Sequence, residues 1–166
     1  MSIISFFKEA GEKLFGHSQP AAAPAAAPDP AAQAARIADL NQTAATAIAN
    51  YISSQGLTAD GLAVGFDGAT TTVTVAGTAA DQSTKEKIVL CCGNVQGVSQ
   101  VVDNLMVATP ADESRYYTVV RGDTLSAISK SQYGNANDYM KIFEANKPML
   151  SNPDKIYPGQ VLRIPA

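Results

Sequence analysis

Apolar residues first recur at helical spacing, then alternate, then return to helical spacing, and this order predicts most of the chain. From about Pro30 to Ser54, the residues Ile37, Leu40, Ala44, Ala47, Ile48, Tyr51 and Ile52 form one stripe, as on an amphipathic helix. Asp29 and Pro30 supply a start signal and Gly56 a stop. Residues 62–66 then alternate as a strand, Asp67-Gly68 marks a hairpin turn, and residues 71–77 alternate again around Val73 and Val75. A second helix begins at Asp81, Ser83 or Thr84 and runs to Cys92. Residues 98–103 and 104–107 read as a final strand or a bent pair. The order αββαβ implies an α+β unit: a small mixed sheet with its helices on one face.

Flanking segments follow different rules. Ile3, Phe6, Phe7, Ala10 and Leu14 lie at helical spacing, with Lys8, Glu9, Glu12 and Lys13 mostly opposite, which predicts a short N-terminal amphipathic helix over residues 1–16. Such a helix is unstable alone and must dock. Residues 17–34 are rich in Ala and Pro and read as an extended linker, because Pro20, Pro24, Pro28 and Pro30 forbid a continuous helix. The αββαβ unit is assigned to residues 35–108, a polar hinge to 109–115, and a second unit to 116–166. In that second unit Asp123 or Thr124 caps a helix bearing Leu125, Ile128 and Tyr133. A further helix runs from about Asn137 to Asn146. A Pro158-Gly159 turn feeds a strand from Val161 to Ile164, which can pair with Tyr117 to Val119.

The chain has 166 residues, one large domain or two small ones. A net charge of −3 supplies no basic face for nucleic acid or an anionic membrane. His17 is the single histidine, which excludes a multi-histidine metal site. Cys91 and Cys92 are neighbours that cannot bridge without strain, and they read as two small buried hydrophobes. No catalytic triad or phosphate-binding glycine loop is present, and the acidic residues are scattered as caps and turn formers, so no enzyme is expected. No signal peptide or membrane span is read, and a cytoplasmic monomer is expected.

The stretch from Lys85 to Val98 stands apart. It is an apolar helix expected to stop at Gly93 through a positive φ, with Gly97 four residues later. Its last carbonyls lack intrahelical partners and carry the negative end of the helix dipole. Two readings stay open on these residues alone: an idle helix stop, or neutral oxygens suited to a weakly hydrated cation.

The second unit resembles a LysM module. The matching residues are Tyr117-Thr-Val119, Gly122-Asp123-Thr124-Leu125, Ile128, Tyr133-Gly134, Ile142 to Asn146, Ile156, and Pro158-Gly159-Gln160 through Ile164-Pro165. This implies a βααβ fold. The first unit resembles a BON domain in its element order, its Val73 to Gly77 strand and its Gly93 to Val98 corner. A leader, one BON domain and one LysM module together resemble the bacterial BON–LysM potassium-binding proteins. That resemblance implies K⁺ as the ligand, with Rb⁺ and Cs⁺ also accepted. The implied ligands are the main-chain oxygens of Phe7, Ala10, Gly93, Val95 and Val98, and ion binding is implied to make the protein compact. As the alternative, resemblance to LysM modules implies binding of N-acetylglucosamine oligomers or peptidoglycan in a groove at Gly122, Asp123, Thr124, Ile156 and Tyr157.

Overall fold

The computed structural model describes residues 2–6, 14 and 29–166. The fold is α+β, with a four-stranded mixed sheet in the first unit and a two-stranded sheet in the second.

Helix α1 spans Pro30–Ser54, and the Asp29 side chain accepts the Ala31 N–H at 3.1 Å, as the start signal predicts. Only its second half packs: Ala44, Ala45, Ile48 and Ile52 are buried, whereas Ile37 and Leu40 are exposed. The apolar stripe therefore extends further along the helix than the surface it covers. Strands β2 (Ala59–Asp67) and β3 (Thr72–Asp81) form the hairpin, with Val64 opposite Val75 and Phe66 opposite Val73. Helix α2 (Gln82–Gly93) then crosses over to β4 (Gln100–Thr109), which runs parallel to β3 with Val101 beside Val73. Strand β4 is one continuous element, which settles the alternative of a bent pair.

The N-terminal helix is corrected over its described part. Residues Ser2–Ser5 form β1, antiparallel to β4, with Ile3 opposite Val102 and Ile4 opposite Val101. The sheet order is β1-β4-β3-β2. The physical reason is that β4 would otherwise present a free edge. Two β-branched residues satisfy their backbone groups better in that ladder than in the first turn of a marginal helix. The rest of the predicted helix lies outside the described residues, apart from Leu14, which packs against the first core. That core gathers Ile48, Ile52, Val73, Val75, Ile88 to Cys92, Val95, Val98 and Val101. Residues 30–34, read as linker, belong to α1.

The second unit comprises β5 (Arg115–Thr118), α3 (Leu125–Tyr133), a 3₁₀ turn (Ala136–Asp138), α4 (Tyr139–Ala145) and β6 (Val161–Ile164). Thr124 caps α3 by accepting the Ala127 N–H at 3.2 Å. The predicted second helix is split, its first turn being 3₁₀. Strands β5 and β6 pair antiparallel with Tyr117 opposite Leu162, over a core of Val119, Leu125, Ile128, Ile142, Phe143, Leu150, Leu162 and Ile164.

The two units touch along α2 and β6. Val161 is part of the first core rather than the second. Glu86 and Arg163 form an ion pair between them, with both side chains largely buried.

Candidate functional site

Asp81 starts α2 by accepting the Thr84 N–H at 2.7 Å, and this bond holds the Asp81 carboxyl below the usual carboxylate range. Helix α2 ends one residue later than expected. Gly93 is its last helical residue and does not take a positive φ; Asn94 is the cap, with its N–H bonded to Leu90 O at 2.9 Å. The left-handed position is Gly97, at φ 95°. Between them the Val98 N–H donates to Val95 O at 3.2 Å, which closes the corner. Gly93, Val95 and Val98 are all buried. Three of the five candidate ligand residues thus share one corner. Phe7 and Ala10 lie outside the described residues.

Gly93 is explained by Phe6. A Cβ built on Gly93 would fall on the Phe6 ring, at its Cζ and both Cε atoms. The Phe6 N–H donates to Ser99 O at 2.7 Å, and the Phe6 side chain is buried in the first core. The leader is therefore pinned at both edges of the corner, by its ring at Gly93 and by its backbone at Ser99. Ser99 is held in turn by Thr71, whose carbonyl accepts the Ser99 N–H at 2.8 Å and whose hydroxyl bonds the Ser99 hydroxyl. Thr71 adopts φ 51°, a conformation that β-branched residues rarely take, so this contact is held against local strain.

The surrounding chemistry is neutral. Cys91 and Cys92 are fully buried, and desolvation pushes the Cys91 thiol up to about 12 and the Cys92 thiol higher still. Among the described residues no group of three or more His, Cys, Asp or Glu could hold a metal ion. The nearby carboxylates are already engaged: Asp103 pairs with Lys85 at 3.2 Å, and Glu86 with Arg163. Backbone oxygen is what the corner offers a ligand.

The candidate glycan groove has a more structural character. The Val119 N–H donates to Gln160 O and the Gly159 N–H to Val119 O, both at 2.8 Å, so the two loops leave the same end of the small sheet. Within them Gly122 takes φ 95°. Asp123 accepts the Val120 N–H and the Tyr117 hydroxyl at 2.9 Å each, and Thr124 caps α3. Ile156 packs against the second core, and the Tyr157 N–H donates to the Gln160 side chain at 3.2 Å. These residues shape the loops as well as line them.

Sequence reasoning missed three residues here. The sequence pattern puts Phe6 on a helix face, Glu86 in a helix and Arg163 in a strand, and offers no partner for any of them. A charged residue inside the apolar runs Ile88–Cys92 and Val161–Ile164, or just beside one, is the signal that could have found the ion pair.

Family models and relatives agree with this architecture. A BON domain model matches residues 39–109 and a LysM domain model residues 117–165. A curated protein of Escherichia coli O6:H1, named potassium binding protein Kbp, is 48% identical over 166 residues, covering 99% of both chains. An uncharacterized protein of Deinococcus radiodurans is 45% identical over 82 residues, covering 43% of this chain and 32% of its own. Matched from end to end at this identity, the chain belongs to the BON–LysM family of the potassium binding protein Kbp.

Proposed function

We propose that this protein binds K⁺ through backbone carbonyls of Gly93, Val95 and Val98, completed by Phe7 and Ala10, and becomes compact when it does so. The observation that carries the reading is the seating of Phe6 on Gly93 with its N–H on Ser99, which brings the leader to the corner immediately before Phe7. The name of the Escherichia coli relative, 48% identical over 99% of both chains, supports the identity of the ion. The physics is compatible. K⁺ is large and weakly hydrated, and carbonyl dipoles can replace its water shell. A carboxylate cage would favour Ca²⁺ or Mg²⁺ instead. The C-terminal end of α2 adds the negative end of a helix dipole to a cation. Rb⁺ and Cs⁺ fit the same chemistry; Na⁺, Li⁺ and Mg²⁺ do not.

In this reading the protein is a cytoplasmic K⁺ sensor, and the ion adds to the free energy that holds the leader at the corner. Titration calorimetry with KCl against NaCl, paired with small-angle scattering, tests it. Heat and a smaller radius of gyration in K⁺ alone are expected. Identical behaviour in the two salts would overturn it.

A second reading rests on the LysM match over residues 117–165. Binding of N-acetylglucosamine oligomers at Gly122, Asp123, Thr124, Ile156 and Tyr157 predicts that the full chain is retained on insoluble peptidoglycan and released by soluble oligomers. Absence of retention removes this reading and leaves the first intact.

A further inference from the structure

Strand β6 has two edges. One pairs with β5; along the other, Val161 and Arg163 expose their backbone groups away from it. Both are met by asparagine side chains. Asn146 donates to Arg163 O and accepts the Arg163 N–H, each at 2.8 Å. Asn94 does the same for Val161, donating to its O and accepting its N–H, each at 2.9 Å. A carboxamide carries the same donor and acceptor pair as a peptide unit, so each asparagine stands in for one residue of a neighbouring strand. Each is also the C-cap of its helix. They differ in origin: Asn146 caps α4 inside the LysM unit, whereas Asn94 caps α2 of the BON unit. One of the two surrogate strand partners of β6 is therefore supplied by the other domain.

Asn94 lies between Gly93 and Val95, two of the proposed ligands. We infer that Asn94 is the positioning residue that couples ion occupancy of the corner to docking of the LysM domain. The inference rests on the K⁺ reading above and deepens it. An occupied corner fixes the backbone on both sides of Asn94 and holds its carboxamide in the orientation that satisfies the N–H and C=O of Val161 together. A loosened corner releases that orientation, the Val161 groups turn to water, and the Glu86–Arg163 pair loses its alignment. Coupling of this kind is reciprocal: docking must strengthen ion binding by the factor by which the ion strengthens docking.

The test uses the full chain. K⁺ affinity is measured by calorimetry, and amide exchange at Val161 is followed in K⁺ and in Na⁺. Leu162, opposite Tyr117 within the LysM sheet, is the internal control. In the wild type, K⁺ is expected to slow exchange at Val161 and leave Leu162 unchanged. Asn94→Ala is expected to abolish that K⁺ dependence and to weaken K⁺ binding by at least about fivefold, the lower end of usual couplings. Asn94→Asp keeps an acceptor for the Val161 N–H and is expected to fall between the two, which separates lost coupling from lost folding. Wild-type K⁺ binding with equal Val161 exchange in both salts, or Asn94→Ala with wild-type affinity, overturns the coupling alone. No K⁺ binding by the wild type removes the coupling together with the function it rests on.

Discussion

The Phe6 ring occupies the space that a Cβ on Gly93 would need. This one contact joins the first strand of the chain to the last turn of α2, and it changes how that glycine is understood. Gly93 is required by what lies against it, since its backbone is ordinary helix.

Replacing Gly93 by Ala therefore sets two effects against each other. Ala favours a helix over Gly by about 0.5–1 kcal/mol. Displacing Phe6 forfeits about 1.5–3 kcal/mol of apolar burial. The second wins, and Gly93→Ala is expected to lose about 1–2 kcal/mol in urea unfolding. Amides of Ile3 and Ile4 should exchange faster, because the ladder to β4 loses its anchor. A gain in stability with β1 still protected would show that the ring yields locally.

Docking of the two units should fail in acid. Burial opposes ionisation of Glu86, but hydrogen bonds from Arg163, Gln82 and Ser114 outweigh it, and the carboxyl is held below its ordinary value of 4.5. The docked form binds this proton less tightly than the separated form. Its stabilisation is thus complete above the ordinary value and fades as pH falls through the docked one. Lys85, Asp103, Glu113 and Tyr116 line the same cleft, and Asp103 is already paired with Lys85. Scattering between about pH 6 and pH 3 should show the separation. Glu86→Gln, which removes the carboxylate paired with Arg163, should weaken docking across the range and flatten the acid step. An unaltered step in that variant would place its origin in another group.

Cys91 and Cys92 should resist thiol reagents in the folded protein. Both are fully buried, and desolvation raises both thiols, Cys91 to about 12. Little thiolate is present at about pH 8, and thiolate is the reacting form. Labelling by an aromatic disulfide reagent should follow global unfolding, with both sulfurs modified together. Rapid labelling without denaturant would contradict the burial.

Asn146→Ala should be far more damaging to the LysM unit than a surface change. The side chain is buried and holds Ile142 O at 2.7 Å in addition to its two bonds to Arg163. Leaving those groups unmet in a dry site should cost about 2–4 kcal/mol. The midpoint of LysM unfolding, followed by amide signals of residues 116–166, measures it. A loss under about 0.5 kcal/mol, the range of surface substitutions, would mean water replaces the amide.

Local patterns were enough where the fold is locally determined. Alternation located β2 and β3 around Val64 and Val75, and the Asp29, Asp81 and Thr124 caps start the helices that the stripes predict. The LysM motif identified the second unit from residue types alone. Errors fell where a partner is remote. Ile3 and Ile4 suit a helix or a strand equally well over so few residues, and only pairing with Val102 and Val101 decides between them. Residue types alone predict a left-handed stop at Gly93, because the Phe6 ring that requires the glycine is far away in sequence. Asn94, Glu86 and Arg163 have meaning only across the domain boundary, where periodicity carries no information.

The position of β1 has a consequence for association. Strand β4 runs for ten residues, and its outer side is covered by β1 over Gln100 to Asp103. Just beyond that cover, the Lys85 ammonium donates to Leu105 O at 2.8 Å. Ser2–Ser5 and one lysine are thus guards on an edge rich in Val and Leu, the kind of edge that otherwise recruits a strand from another molecule. A leader that lets go of the corner also uncovers this edge, and the same few residues that bring the chain to its candidate ion site keep neighbouring copies from pairing with β4.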